Sequence, residues 1–241
     1  MRYCKDSRQP SELGKCFSSA KKPEPDRIPA VDEVIGRYKG NHSAVLILNT
    51  AKKYGVGLDR FGRNYQEITD RLGVASFKFS RGDRGYCRPE YVIAGMIIAE
   101  NDLDTSKWLI MEMASKVGEK EVRTHLENIC EIMEEAKKLG LDVEKIGTRK
   151  ETTADEMLRV ATNRKYRYAK LALGIIVIGQ KPEDMERIVL NKIMPECSGS
   201  ELYGLEGYIL DRKNHMRMSE EKADLFIERI RNLLKSRGLP A

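Results

Sequence analysis

Long hydrophobic runs are missing from this 241-residue sequence. The longest apolar stretch, Leu171 to Gly179, has nine residues, whereas a helix that spans a bilayer needs about 20. The first six residues, Met1 to Asp6, contain no apolar signal region either. The sequence therefore predicts a cytoplasmic protein without a membrane partner.

Histidine is scarce, and cysteine occurs without a ligand spacing. The three histidines are scattered along the chain, and none of the five cysteines forms a CxxC pair. Zinc sites and disulfide frameworks both depend on such clusters. We therefore predict neither a metal site nor a cofactor.

Enzyme signatures are also missing. The sequence contains no GxxxxGK[ST] phosphate loop, no GxGxxG motif after a strand, no HExxH and no GxSxG. Acid pairs such as Glu134-Glu135 fall on predicted exposed helix faces, where solvation explains them better than catalysis does. The sequence therefore does not favour an enzyme.

The residues that are present are typical of a folded helical protein. Hydrophobic residues make up 41% of the chain and charged residues 33%, which excludes a disordered polar chain. Glutamine occurs only at Gln9, Gln66 and Gln180, whereas Lys, Arg and Glu abound. This bias is typical of thermophiles.

The net charge of +6 is unevenly spread. Residues 1–91 hold 18 Lys and Arg against 11 Asp and Glu, a balance of +7, whereas residues 92–146 have a balance of −5 and the remainder +4. Two basic regions that flank an acidic middle are typical of contact with a polyanion at two places. This pattern favours a nucleic-acid partner.

Helical periodicity and turn signals predict an all-α fold of two helical units. Residues 1–29 are rich in proline and predict an extended or flexible arm. Residues 30–140 predict an N-terminal helical unit and 151–241 a C-terminal one, with 140–150 as a linker. Thr153-Ala154-Asp155-Glu156 predicts a capping box at the start of a helix. At most a short β-hairpin is expected near 77–88, where Phe77-Lys78-Phe79-Ser80 alternates apolar and polar residues.

One internal similarity suggests that the two units are related. Gly95-Met96-Ile97-Ile98, followed by a helix over 105–114, resembles Gly174-Ile175-Ile176-Val177, followed by a helix over 182–194. In each case an apolar helix, a short polar turn and a second helix succeed one another at a spacing of 79 residues. A tandem helical unit and chance both remain explanations.

The sharpest local pattern lies at residues 61–81. Ile68, Leu72 and Val74 are spaced as buried positions, Gly73 is placed for a tight turn, and Phe79 is placed as an apolar anchor. This pattern resembles the helix-turn-helix of DNA-binding regulators, which implies a second helix that presents polar and basic side chains to the major groove. If 77–88 is a hairpin instead, its basic residues form a wing beside the groove. A helix that ends at Gly73 before a surface turn is the alternative without function.

A second basic cluster, at residues 163–170, interleaves cations with Tyr166 and Tyr168. Lys and Arg neutralise phosphates while tyrosine rings stack on bases, although an ordinary helix start with buried tyrosines is also compatible. The predicted nucleic-acid contacts are Arg71, Ser76, Lys78, Ser80, Arg81, Arg84, Arg88, Arg164, Lys165 and Arg167.

The function that these patterns favour is nucleic-acid binding. We expect a duplex DNA partner and a role as a transcription regulator or replication accessory factor. The alternative is a helical adaptor that binds another protein through apolar helix faces, which predicts an exposed patch around Trp108, Met111 and Met113. The oligomeric state and the identity of the target stay open.

Overall fold

The described part of the chain is all-α, which confirms the predicted fold class. The computed structural model describes residues 28–83, 85–146, 149–163, 166, 168–180, 186–215 and 217–241. Of the arm predicted for residues 1–29, residues 1–27 lie outside the described part of the chain. Within the described ranges there is no strand, and none of their helices is both long and apolar enough to cross a membrane.

The helices follow one another with short connections. They are α1 (Val31–Arg37), α2 (His42–Tyr54), α3 (Tyr65–Arg81), α4 (Pro89–Glu100), α5 (Leu103–Lys116), α6 (Lys120–Lys138), α7 (Val143–Ile146), α8 (Lys150–Ala161), α9 (Ala169–Gln180), α10 (Gly199–Asn214) and α11 (Glu220–Ser236). Single 3₁₀ turns lie at Leu58–Arg60 and Met194–Glu196, and a π-helix covers Glu186–Ile193.

Polar side chains determine where several helices begin. The side-chain oxygens of Asn41, Asn64 and Asp102 accept backbone N–H groups in the first turns of α2, α3 and α5. Ser198 and Glu201 form a reciprocal capping box at the start of α10. This box marks a helix that the sequence analysis did not predict.

Helices α2 and α6 end in the same way. Both carry the sequence Ala-Lys-Lys-X-Gly, at residues 51–55 and 136–140, a spacing of 85. Gly55 and Gly140 adopt left-handed φ values of 75° and 66°, and the residue after each glycine donates its N–H to the alanine carbonyl oxygen at 2.9 Å. Each end is therefore a Schellman motif, in which glycine avoids the Cβ penalty of positive φ.

The helices that follow the ends of α2 and α6 also pack in a repeated arrangement. Helix α2 packs on α3 and α4, and α6 packs on α8 and α9 in the same order. Gly95 of α4 and Gly174 of α9 mark close helix contacts, because a β-carbon at either would lie 2.8 Å from a methyl group of Leu158 or Leu205. The predicted similarity between these two helices therefore belongs to a wider repeated arrangement of four elements: α2–α5, and α6 with α8, α9 and the π-helix.

The segment predicted as a linker is part of the core. Helix α7 lies within residues 140–150, and Leu141, Val143 and Ile146 are buried. Helix α4 packs on α8 across this segment. The predicted boundary between 30–140 and 151–241 therefore falls inside a continuous set of packed helices.

The turn predicted at Gly73 is wrong, because α3 runs without a break from Tyr65 to Arg81. Ile68, Leu72, Ala75 and Ser76 are buried at helical spacing, so one apolar face continues past Gly73. Of the two alternatives for residues 77–88, the hairpin does not form where the chain is described, since 77–81 belong to α3. A glycine inside a helix costs about 1 kcal/mol, and the burial of this face outweighs it.

The capping box predicted at residues 153–156 is likewise wrong. Helix α8 begins at Lys150, three residues before the predicted position. Thr153 is buried, and its hydroxyl donates to the Arg149 carbonyl oxygen at 2.9 Å. The residue is therefore a buried helix position and not a cap.

Candidate functional site

The predicted nucleic-acid contacts on α3 separate into buried and exposed residues. Ser76 is only 2% exposed, and its hydroxyl donates to the Leu72 carbonyl oxygen. Arg71 is half-buried, pairs with Glu100 and donates to the Phe61 carbonyl oxygen at 2.9 Å. Ser76 therefore cannot face a nucleic acid, and Arg71 is held by contacts within the protein.

Lys78 belongs to a cluster between α3, α8 and the loop that precedes α4. Its ammonium group pairs with Asp155 and lies 4.9 Å from the centre of the Tyr86 ring. The Tyr86 hydroxyl donates to the same carboxylate. Burial and the neighbouring Asp155 charge raise the pKa of Tyr86. The cluster ties the loop to α8, so Lys78 has a structural role.

The remaining predicted residues lie at the end of α3 and beyond it. Ser80 and Arg81 are exposed; the Arg81 guanidinium lies 5.3 Å from the centre of the Phe77 ring and 3.8 Å from Asp83. Arg88 pairs with Glu119 at 2.8 Å. Four predicted residues lie outside the described part of the chain: Arg84, Arg164, Lys165 and Arg167.

An apolar stripe on α3 was missed by the sequence analysis. Val74 and Phe77 are 58% and 54% exposed, and with Gly73 and Arg81 they occupy one side of the helix. The helix-turn-helix pattern assigned Val74 to the interior because it assumed a turn one residue earlier. With the helix continuous, its 3.6-residue period turns Val74 away from the core. We call Val74, Phe77 and Arg81 the α3 stripe.

The largest exposed apolar side chain lies on α5. Trp108 is 61% exposed and Met111 43%, whereas Met113 is 1% exposed. Residues 108 and 111 are three positions apart and therefore neighbours on one face, while 113 points to the core. The predicted patch exists at Trp108 and Met111, and its extension to Met113 is wrong.

Helix α6 lies beside this face in antiparallel register. Lys137 pairs with Asp104 at 2.5 Å, and Lys107 pairs with Glu134 at 2.6 Å. The same register brings Met111, one turn after Lys107, level with Cys130 of α6. Glu127 and Glu131 flank Cys130 along α6, and we call these two carboxylates with Trp108 and Met111 the α5–α6 surface.

Neither carboxylate of this surface pairs with a cation from the part of the chain that the structure describes. Within the described chain, Glu127 and Glu131 form no ion pair. Arg123, one turn before Glu127, donates twice to the Val117 carbonyl oxygen, at 3.1 and 2.6 Å. Like charges four residues apart on a helix repel each other by a few tenths of a kcal/mol. As far as the described residues go, the surface therefore combines an exposed apolar pair with two carboxylates that form no ion pair.

A separate cleft of about 360 Å³ lies between α10 and the start of α9. Tyr166 and Tyr208 line it with their ring centres 6.2 Å apart, and burial raises the pKa of Tyr166. The guanidinium of Arg212 lies 5.7 Å from the centre of the Tyr208 ring. The chain's own arginine therefore already occupies the face of that ring.

Comparison with known proteins gives no functional assignment. No protein-family model, no curated protein and no solved structure matches this chain. Among the described residues, no group of three or more His, Cys, Asp or Glu side chains is placed to hold a metal ion.

Proposed function

We propose that this protein is a helical adaptor that binds a partner protein through the α5–α6 surface. The observation that carries the proposal is the 61% exposure of Trp108 on a helix whose opposite face is buried. Exposed aromatic and methionine side chains are enriched at protein interfaces, and tryptophan is prominent among the residues that dominate binding energy.

The repeated helices supply a rigid support for such a surface. Leu109, Ile110 and Met113 anchor α5 in the core, and α6 buttresses it through the Lys107–Glu134 and Asp104–Lys137 pairs. A surface that is held in place before binding loses little conformational entropy when a partner docks. The arrangement therefore suits recognition better than it suits chemistry.

Photo-crosslinking in cells tests this function. A photoreactive amino acid replaces Trp108 in one variant and Leu225, an exposed apolar residue of α11, in a control. We expect one discrete adduct from position 108 that the control lacks and that M111E abolishes. Equal adducts from both positions, or none from either, would contradict the adaptor function.

Nucleic-acid contact through the end of α3 is a second candidate. Arg81 and Ser80 are exposed there, and Phe77 offers a ring on which a base can stack beside the Arg81 cation. For this candidate we keep the role that the sequence predicts, which is that of a cytoplasmic DNA-binding protein in transcription or replication. Ser76, Arg71 and Lys78 are not part of this candidate, because their side chains are buried or paired within the protein.

Fluorescence anisotropy of labelled duplex and single-stranded DNA separates the two candidates. The second candidate predicts binding that weakens steeply with salt and that F77A/R81A reduces. The matched control is R229A/R231A on α11. Binding that both double variants weaken equally would indicate a general effect of positive charge and would count against the α3 site.

A further inference from the structure

The apolar and acidic parts of the α5–α6 surface lie at one level of the helix pair. Two ion pairs connect α5 and α6, and both join residues of opposite charge across the groove. One turn after Lys107 on α5, where a third ion pair with α6 would continue the series, the chain has Met111. The adjacent positions of α6 are Glu127 and Glu131, so the series of pairs is interrupted where the apolar pair begins.

Helix geometry fixes which way these carboxylates point. Glu127 precedes Glu134 by seven residues, which is close to two full turns, so both lie on the side of α6 that faces α5. Glu131 lies between them and is exposed. Both Glu127 and Glu131 act electrostatically on Cys130, whose sulfur lies 3.7 Å from the Lys107 carbonyl oxygen. The two charges therefore border the groove beside Trp108 and Met111.

We propose that the α5–α6 surface binds a basic amphipathic helix of a partner protein. Aliphatic side chains of that helix cover Trp108 and Met111, and its Lys or Arg side chains pair with Glu127 and Glu131. The inference rests on the proposed adaptor function and names the chemistry of the partner. Charge complementarity carries it, since cations one helical turn apart match two carboxylates one turn apart.

A helix fits better than an extended segment. The apolar pair is spaced i, i+3 and the acidic pair i, i+4, so both repeat with the pitch of a helix laid along the groove. An extended strand would need an open sheet edge, and the described chain has no strand. A second copy of this chain offers the α3 stripe, which has one cation, Arg81, and the acidic Asp70 on the same side of the helix.

The full-length protein carries its own probe for this test, because Trp108 is its only tryptophan. Two synthetic amphipathic peptides of equal length and identical leucine spacing are titrated into it, one with lysine and one with glutamate on the polar face. We expect the lysine peptide to shift Trp108 emission to shorter wavelength with an affinity that falls as salt rises. The glutamate peptide is expected to bind at least about tenfold more weakly.

Matched variants separate charge from apolar contact. E127Q/E131Q is expected to weaken the lysine peptide by about three- to tenfold, as the loss of two exposed ion pairs implies. The control E221Q/E228Q, on α11, is expected to leave that affinity unchanged. M111A, which removes apolar contact without adding a charge, is expected to weaken both peptides, and circular dichroism checks that each variant keeps its helix content.

Each other outcome overturns the inference in a distinguishable way. Equal affinity for the two peptides excludes a basic partner and leaves the adaptor function standing. No emission change with either peptide excludes a helical ligand, and the crosslinks from position 108 then decide the adaptor function separately. Self-association that the lysine peptide competes away would identify a second copy of the chain as the occupant in place of a partner protein.

Discussion

At the scale of single residues, Asp155 joins three parts of the molecule. Its carboxylate accepts from the Tyr86 hydroxyl and pairs with Lys78, so it joins α8 to α3 and to the loop before α4. Tyr86 is buried, and a buried hydroxyl without a partner costs about 1–3 kcal/mol. The stability of this junction therefore depends on one acidic side chain.

We expect D155A to lower the free energy of unfolding by about 1–3 kcal/mol, because it leaves the Tyr86 hydroxyl unpaired. Urea denaturation followed by circular dichroism measures the change. D83N is the control, since Asp83 is 3.8 Å from Arg81 in an exposed pair that contributes at most about 1 kcal/mol. A D155A variant as stable as D83N would show that the cluster does not hold the loop.

Cysteine reactivity is a second prediction at this scale. Burial raises the pKa of Cys130 and of Cys197 to about 12, so neither forms an appreciable amount of thiolate at pH 8. Cys87 is exposed. We expect iodoacetamide at pH 8 to alkylate Cys87 while it leaves Cys130 and Cys197 unmodified until urea unfolds the protein. Mass spectrometry of tryptic peptides measures each site, and rapid labelling of Cys130 in the native protein would contradict its burial.

At the scale of the helices, amphipathic pattern was sufficient where it was strong and misleading where glycine interrupted it. Helix α6 is an example of a strong pattern, because its apolar residues repeat at helical spacing with little interruption. Helix α3 was divided at Gly73, since glycine is a turn signal unless tertiary burial overrides it. Helix α10 was not predicted, because Gly204 and Gly207 are turn signals inside it. In the structure Gly204 leaves room for the side chain of Leu171 of α9.

The candidate site was partly predictable for the same reason. Trp108 and Met111 were expected together, but their separation from Met113 required the helix phase. The acidic half of the site, Glu127 and Glu131, was not predicted, because nothing in the sequence distinguishes these two residues from other charged positions on a helix. Only the register between α5 and α6 shows that these carboxylates lie beside the apolar pair, and register is a tertiary property that one sequence does not specify.

Gly73 distinguishes a continuous α3 from a helix-turn-helix. The position has open space around it and lies in the middle of an α-helix, so G73A is expected to stabilise the protein by about 0.5–1 kcal/mol. The same change at Gly82, where φ is 65°, is expected to destabilise by a similar amount. Thermal denaturation of both variants measures the signs. Destabilisation by G73A would instead indicate a turn at Gly73.

The start of α5 links helix stability to pH. Hydrogen bonds from the backbone and side chain of Thr105 lower the pKa of Asp102 below its ordinary value of 3.8. A carboxylate with a lowered pKa in the folded state contributes its stability above that ordinary value and loses it as pH falls through the folded-state pKa. We expect D102A to cost about 1 kcal/mol at pH 7. D102N also caps the helix but does not titrate, so the difference in unfolding free energy between D102N and the wild type should shrink as pH falls below 3.8. A difference that grows in that range would contradict the sign.

At the scale of the whole molecule, the repeated arrangement does not divide the chain into separate bodies. Helix α6 ends like α2 and packs on α8 and α9, while α4 of the first set packs on α8 of the second. One cluster of buried apolar residues runs from Val34 to Leu234. Each set of helices therefore covers apolar surface that the other would expose to water if it were removed.

This packing predicts a single cooperative unfolding transition. Trp108 emission reports on α5 in the first set, whereas circular dichroism at 222 nm reports on all helices, so coincident urea midpoints are expected for the two signals. L158A, which removes the side chain that Gly95 and α4 contact, is expected to cost about 2–5 kcal/mol and to move both midpoints together. If the emission midpoint instead stayed in place while the circular dichroism midpoint fell, the first set of helices, α2–α5, would be a unit that folds without the rest. Joint movement would mean that the α5–α6 surface keeps its shape only while the second set of helices, which includes α6, is folded. Loss of the second set would then abolish partner binding without a change at Trp108.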